Sequence, residues 1–223
     1  MRCGTRYPGT RYLGARYLSC AAVLFFVLGF LFAKPVFAQD AGAKERARMG
    51  VFLSNFSELH MLNFDAADVL NPEKPYAMIR FGIWHNYINN YKKRIRNCTD
   101  AGCRWGSLTI DGRYVKESIE RYFGYTLKEC PSVEASLAPT PADVYHYDGK
   151  LYHFEGAAGE AVYHAKVDKA WQREDGLFEM QGKMCLAEDM GDCPATFTAL
   201  ARKHTWKGKK TWAAVSLHTE FPE

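Results

Sequence analysis

The chain has 223 residues, 48% of them hydrophobic and 24% charged, with a formal charge of +4, which is ordinary globular composition. The first 38 residues hold five of the 29 basic side chains and none of the 25 acidic ones, so the remainder carries 24 against 25 and its charge falls to −1. The sequence pI of 8.6 therefore belongs mostly to the N-terminus and is no argument for nucleic-acid binding.

Residues 1–38 have the layout of a secretory signal peptide. Arg2, Arg6, Arg11 and Arg16 precede an apolar run at 21–33, and Val36-Phe37-Ala38 supplies small residues for cleavage after Ala38. A membrane anchor is the rival, but thirteen residues make only about 20 Å of helix against the roughly 20 residues a span needs. The expectation is an exported protein, periplasmic or extracellular, with one domain over 39–223. Its membrane contact would come only through the leader.

Within that domain, residues 39–50 are polar and alanine-rich and are expected to be frayed or disordered. Val51, Phe52, Phe56, Leu59, Leu62 and Phe64 predict a helix over 51–64. Asn71-Pro72 then offers a helix start. The strongest periodic signal follows at 75–97, where Ala77, Phe81, Trp84, Ile88, Tyr91 and Ile95 draw one apolar stripe, leaving Arg80, Asn86 and Asn89 for water. Lys92, Lys93, Arg94 and Arg96 complement the negative end of that helix. This is preferred to a polyanion site because no second basic patch is visible.

Asp111 is expected to cap a further helix whose Val115, Ile119, Tyr122 and Phe123 share a face, with Gly124 just past its end. A Pro/Ala/Ser-rich loop over 130–143 separates this helical half from a half patterned in twos. There, Asp148-Gly149, Asp175-Gly176 and Lys207-Gly208 mark hairpin turns. A two-residue second turn would pair Trp171 with Met180 and Val167 with Met184, and the last hairpin would set Leu200 opposite Val215. The expected fold is α+β: N-terminal helices packed on a curved antiparallel meander of about six strands, with the aromatic helix as its cover.

Five cysteines follow the leader. Cys98–Cys103 and Cys185–Cys193 are expected disulfides in an oxidising compartment, with Cys98–Cys130 as the alternative pairing. A zinc site is not favoured, since no CxxC exists and no histidine stands at ligand spacing from these cysteines. No cofactor is implied. HExxH, GxSxG, P-loop and GxGxxG signatures are absent. His153-Phe-Glu155 lacks the downstream PCxxC of a zinc deaminase, and residues 188–192 lack the alternating ligands of a calcium loop.

Three histidines are the positions to test. A two-residue turn at Asp148-Gly149 makes His146 and His153 diagonal neighbours on the outer face of a hairpin, with no third metal ligand specified. His85 flanks the aromatic stripe and fits either a half-buried core position or a pocket acid/base. Trp84, Trp105, Trp171, Trp206 and Trp212 are candidates for stacking on a sugar, although the core claims Trp84 and Trp171.

Residues 108–127 (LTIDGRYVKESIERYFGYTL) and 148–155 (DGKLYHFE) resemble uncharacterised bacterial exported proteins. That resemblance carries structure and no functional residues. The element order is also similar to the cone-shaped roll of nuclear-transport-factor-like and cystatin-like folds, which hosts binding modules and enzymes alike. The expected function is a non-catalytic envelope protein that binds a ligand or partner, as a homodimer through the sheet or Cys130. The alternative is a small secreted hydrolase or isomerase using His85 or His146 with a carboxylate.

Overall fold

The computed structural model describes residues 40–156 and 162–222, so the expected leader lies outside the described residues. Ala38–Glu223 forms one compact unit. Its elements are α1 (Ala43–Ser57), β1 (Phe64–Asp65), α2 (Ala66–Val69), α3 (Tyr76–Arg94), β2 (Ile95–Asn97), β3 (Leu108–Asp111) and α4 (Gly112–Phe123). After a 3-10 turn at Pro141–Asp143 come β4 (His146–Tyr147), β5 (Leu151–Phe154), β6 (Tyr163–Gln172), β7 (Phe178–Leu186), β8 (Ala195–Trp206) and β9 (Lys209–Glu220). The fold is α+β. Its strands divide into two antiparallel sheets, β1-β9-β8-β7-β6 and β2-β3-β5-β4. The 146–154 hairpin, expected in the long meander, belongs to the smaller sheet.

The first helix begins and ends earlier than the apolar pattern predicts. Met49 is fully buried, and a Cβ at Gly50 would come within 2.6 Å of the Ala165 carbonyl oxygen, so the stretch expected to fray is pressed against β6. Ser54 Oγ accepts the Ala165 N–H at 3.0 Å and Ser57 Oγ donates to the Tyr163 carbonyl at 2.5 Å. These hydroxyls occupy backbone groups that an edge strand otherwise presents to another chain. Asn71, expected to open the next helix, instead closes a turn by accepting the Glu73 N–H at 2.9 Å.

The predicted stripe is buried in part, Phe81 and Ile95 with Ala77 and Trp84 packed against the core, and the central helix α3 adds a neighbouring face to it. Met78, Ile79, Phe81, Ile83, His85 and Asn86 are buried, whereas Ile88 and Tyr91 are exposed. Its close partner is α4: a Cβ at Gly82 would meet Val115 at 2.5 Å. Asn86 can sit in this contact because its amide is satisfied, donating to Gly82 O at 2.7 Å and Ser118 Oγ at 2.9 Å and accepting from Arg94 at 2.8 Å. Arg80, expected to face water, donates to the Leu59 carbonyl at 2.8 Å.

Helix α4 follows its sequence signals closely. Asp111 accepts the Arg113 N–H at 2.9 Å, Gly124 ends the helix at φ +63°, and Val115, Ile119, Tyr122 and Phe123 are buried. Phe52, Phe56, Phe64, Phe81, Tyr122 and Phe123 form a ring cluster with neighbouring centroids 5.0 to 6.0 Å apart.

The glycine-marked turns stand where expected, but register shifts. Trp171 faces Glu179 and Val167 faces Gly182, because the β6–β7 connection runs longer than two residues and a bulge falls between Val167 and Lys169. Leu200 faces Ser216, again beside a bulge. In the small sheet, His146 faces His153 directly, a change from the diagonal placement that a two-residue turn implies.

Candidate ligand-binding groove

Helix α1, the last turn of α4 and the β8–β9 hairpin enclose an open groove of about 530 Å³. The helical repeat puts Lys44, Arg48, Val51, Phe52 and Asn55 along one side of α1. Arg121 and Tyr122 enter from α4, while Trp206 and Lys209–Trp212 enter from the hairpin. The lining thus carries five cations, Lys44, Arg48, Arg121, Lys209 and Lys210, and, among the described residues, no acidic side chain.

The walls are aromatic. Phe52 stacks on Tyr122 with centroids 5.9 Å apart and meets Trp212 at 6.0 Å. Tyr122 Oη donates to Asn55 Oδ1 at 2.8 Å, which fixes its ring. Arg48 Cζ lies 5.3 Å from the Trp212 ring centre, and Arg121 Cζ lies 5.0 Å from Tyr122 and 5.4 Å from Trp206. Guanidinium groups over ring faces are held in place with N–H donors to spare; Arg48 commits one, Nη2, to the Lys210 carbonyl at 3.4 Å. Lys207 sits on Trp206 too, at 4.7 Å, but its charge is paired with Glu117 at 2.7 Å. Among the described residues, the buried Nε atoms of Trp206 and of His204, which lines an adjoining recess of about 320 Å³, have no hydrogen-bond partner. Such an arrangement can hold an anion by its charge and an apolar or aromatic body by the rings.

His85 lies behind this groove and outside its lining. It is 5% exposed, stacked on Phe81 at 5.7 Å and edge-on to Tyr122 at 4.7 Å. Burial first, then the Arg121 and Arg94 charges, push its pKa from 6.5 down to about 3, so it is a neutral imidazole at ordinary pH. Asn89 Nδ2 donates to its Nδ1 at 3.3 Å and also hydrogen-bonds Glu58, whose pKa burial raises against the pull of His164 and Asn89. The link from His85 to a carboxylate therefore passes through an amide.

The other two histidines are brought together on the small sheet. His146 stacks on Trp105 at 4.6 Å, and the two imidazole centroids are 6.0 Å apart. His153, expected at an outer face, is 3% exposed, with Nε2 3.0 Å from Asp148 Oδ2. Cys185 and Cys193 are joined in a disulfide. Cys98, Cys103 and Cys130 are free thiols, and Cys103 is hydrogen-bonded to Cys98 in place of the expected bridge. Cys130 is half-buried with its thiol 3.9 Å from the Gly112 carbonyl.

The stacking tryptophans Trp206 and Trp212 were legible as candidates, but the cations beside them were not. Lys92, Lys93, Arg94 and Arg96 form the basic run that the sequence displays, whereas the groove's charges come from three separated segments. The available signal was local: the Lys209-Lys210 doublet stands between the two tryptophans. Among the described residues no helix is long and apolar enough to cross a membrane. No protein-family model, curated protein or solved structure matches the chain.

Proposed function

We propose that this is an exported, non-catalytic binding protein whose groove takes a small anion with an aromatic or apolar body. The observation that carries the reading is the lining itself, five cations and four aromatic rings with, among the described residues, no acidic side chain. An open groove of about 530 Å³ suits a small molecule. Export is supported by the secretory layout of residues 1–38 and by the Cys185–Cys193 disulfide, which belongs to an oxidising compartment. The hydrolase or isomerase alternative draws no support from His85, which is buried behind Tyr122 and linked to Glu58 only by way of Asn89.

The test uses a matched pair of probes, naphthalene-2-sulfonate and uncharged 2-naphthol, with tryptophan fluorescence as the readout. Saturable quenching by the sulfonate, with binding at least tenfold tighter than that of the naphthol, is the expected outcome. Equal binding of both probes, or no saturation by either, would remove the reading.

A further inference from the structure

The small sheet carries a second constellation, independent of the groove. In its ladder His153 faces Thr109, and Thr109 faces Arg96. Cys98 lies two residues beyond Arg96, and its N–H continues the ladder to the Ser107 carbonyl at 2.8 Å. Strand periodicity then puts Cys98 and His153 on the same face. The loop over 98–106 folds back across that face. It turns at Gly102 and Cys103, both at positive φ, and closes at Gly106, where a Cβ would come within 2.3 Å of the Phe154 carbonyl. Only glycine allows so close an approach at φ +124°.

The result is a cluster of sulfur, nitrogen and oxygen donors. One ligand atom from each of Cys98, Asp100 and His153 lies within 4.8 Å of the others. The Cys103 thiol is hydrogen-bonded to Cys98 and approaches the Asp100 carbonyl at 3.3 Å. We propose that Cys98, Cys103, His153 and Asp100 form a site for a zinc-class divalent ion, which clamps the 98–106 loop onto β5.

Donor chemistry selects the metal class. Two thiols and an imidazole suit zinc and its soft neighbours, whereas calcium and magnesium require oxygen donors. Distance is close to what coordination needs. Bond lengths of about 2.0 to 2.3 Å place tetrahedral ligands roughly 3.3 to 3.8 Å apart. For Cys98, Asp100 and His153, closing from 4.8 Å takes about an ångström of movement, which the exposed Asp100 and the half-exposed Cys98 can supply by rotamer change; the half-exposed Cys103, 3.3 Å from the Asp100 carbonyl, would swing in from beside them. His153 is the fixed member, 3% exposed. A metal at its Nε2 would replace the present 3.0 Å contact with Asp148, leaving that carboxylate at the rim of the site. A Cys98–Cys103 disulfide would explain two of these residues and neither the buried imidazole nor the carboxylate beside them.

Cobalt(II) is the probe. The full chain, stripped of metal and held under a phosphine reductant, is titrated with cobalt and then with zinc. A thiolate-to-cobalt charge-transfer band with tetrahedral d–d bands should grow to a single equivalent and be bleached by zinc. Cys98→Ser and Cys103→Ser, each made in a Cys185→Ser/Cys193→Ser background because the phosphine also opens that disulfide, should each abolish the charge-transfer band or reduce its affinity at least tenfold, and Cys130→Ser in the same background should leave it intact. His153→Asn should also lose it; because His153 is buried, the half-exposed Cys103 carries the decision if that variant fails to fold. No thiolate band in the reduced wild type, or a band surviving both Cys98→Ser and Cys103→Ser, would overturn the proposal.

Discussion

His85 and His153 are both almost fully buried, 5% and 3% exposed, yet their surroundings are opposite in sign. His85 lies among aromatic rings with Arg121 and Arg94 as its charged neighbours, behind a groove whose lining holds five cations. His153 faces Asp148 at 3.0 Å and Asp100 at 3.8 Å, with the Cys98 thiol within 4.8 Å. One region gathers five cations around an open, aromatic-walled volume, with Glu45 set back in the adjoining recess. The other closes donor atoms on one another. A surplus of positive charge along an open groove favours an anionic ligand from solution, while converging donors favour a cation.

The largest difference between the two regions lies in the core behind the groove. Phe56 touches Phe52, Phe64, Phe81, Tyr122 and Phe123 and is fully buried, so it supports the groove wall from behind. Phe56→Ala should cost about 3 to 5 kcal/mol in urea unfolding. Cobalt affinity in the protein that remains folded should be unchanged, because none of these rings belongs to the small sheet.

Acid sharpens the contrast next. The unfolded chain binds a proton at His85 below about pH 6.5, and the folded chain only near pH 3. Unfolding stability should therefore be whole above that window and decline as pH falls through it, by up to about 1.4 kcal/mol per unit. His85→Gln, which is less stable to begin with, should show a shallower decline between about pH 6.5 and pH 4 when both are compared by urea unfolding.

Salt separates the two regions more gently. Raising ionic strength from about 0.01 M to 1 M shortens the screening length from about 30 Å to 3 Å. Naphthalene-2-sulfonate should bind severalfold more weakly, while cobalt stoichiometry at the thiols stays the same. The smallest effect falls on α4, which starts at the small sheet and ends in the groove. Asp111→Ala removes the cap hydrogen bond to Arg113 N and should cost about 1 kcal/mol in thermal or urea unfolding, with both affinities retained.

What the sequence made legible was local. Helix α4 announces itself by Asp111, Gly124 and an apolar face that coincides with its buried face. The hairpin turns announce themselves by Gly149, Gly176 and Gly208, all at positive φ. Register was less legible, since a bulge or one extra loop residue shifts every pair without changing the alternation. The α3 stripe misled because aromatic content does not say which face is buried. Ile88 and Tyr91 are left at the surface, and Asn86 goes inside once Ser118 and Gly82 satisfy it. Both sites depend on separation in sequence being undone by pairing. Cys98 and His153 meet only through the β2-β3-β5 ladder, and Arg48, Arg121 and Lys210 only through α1 and α4 meeting one hairpin.

Cations over aromatic walls define the proposed ligand site. Its most direct measurement is calorimetric titration of naphthalene-2-sulfonate into the wild type and into an Arg48→Gln/Arg121→Gln variant. Both arginines lie over rings at the groove surface, so the variant should fold with stability within about 0.5 to 1 kcal/mol of the wild type. Affinity should fall by at least tenfold, about 1.4 kcal/mol. An equal affinity in the two proteins would contradict the claim.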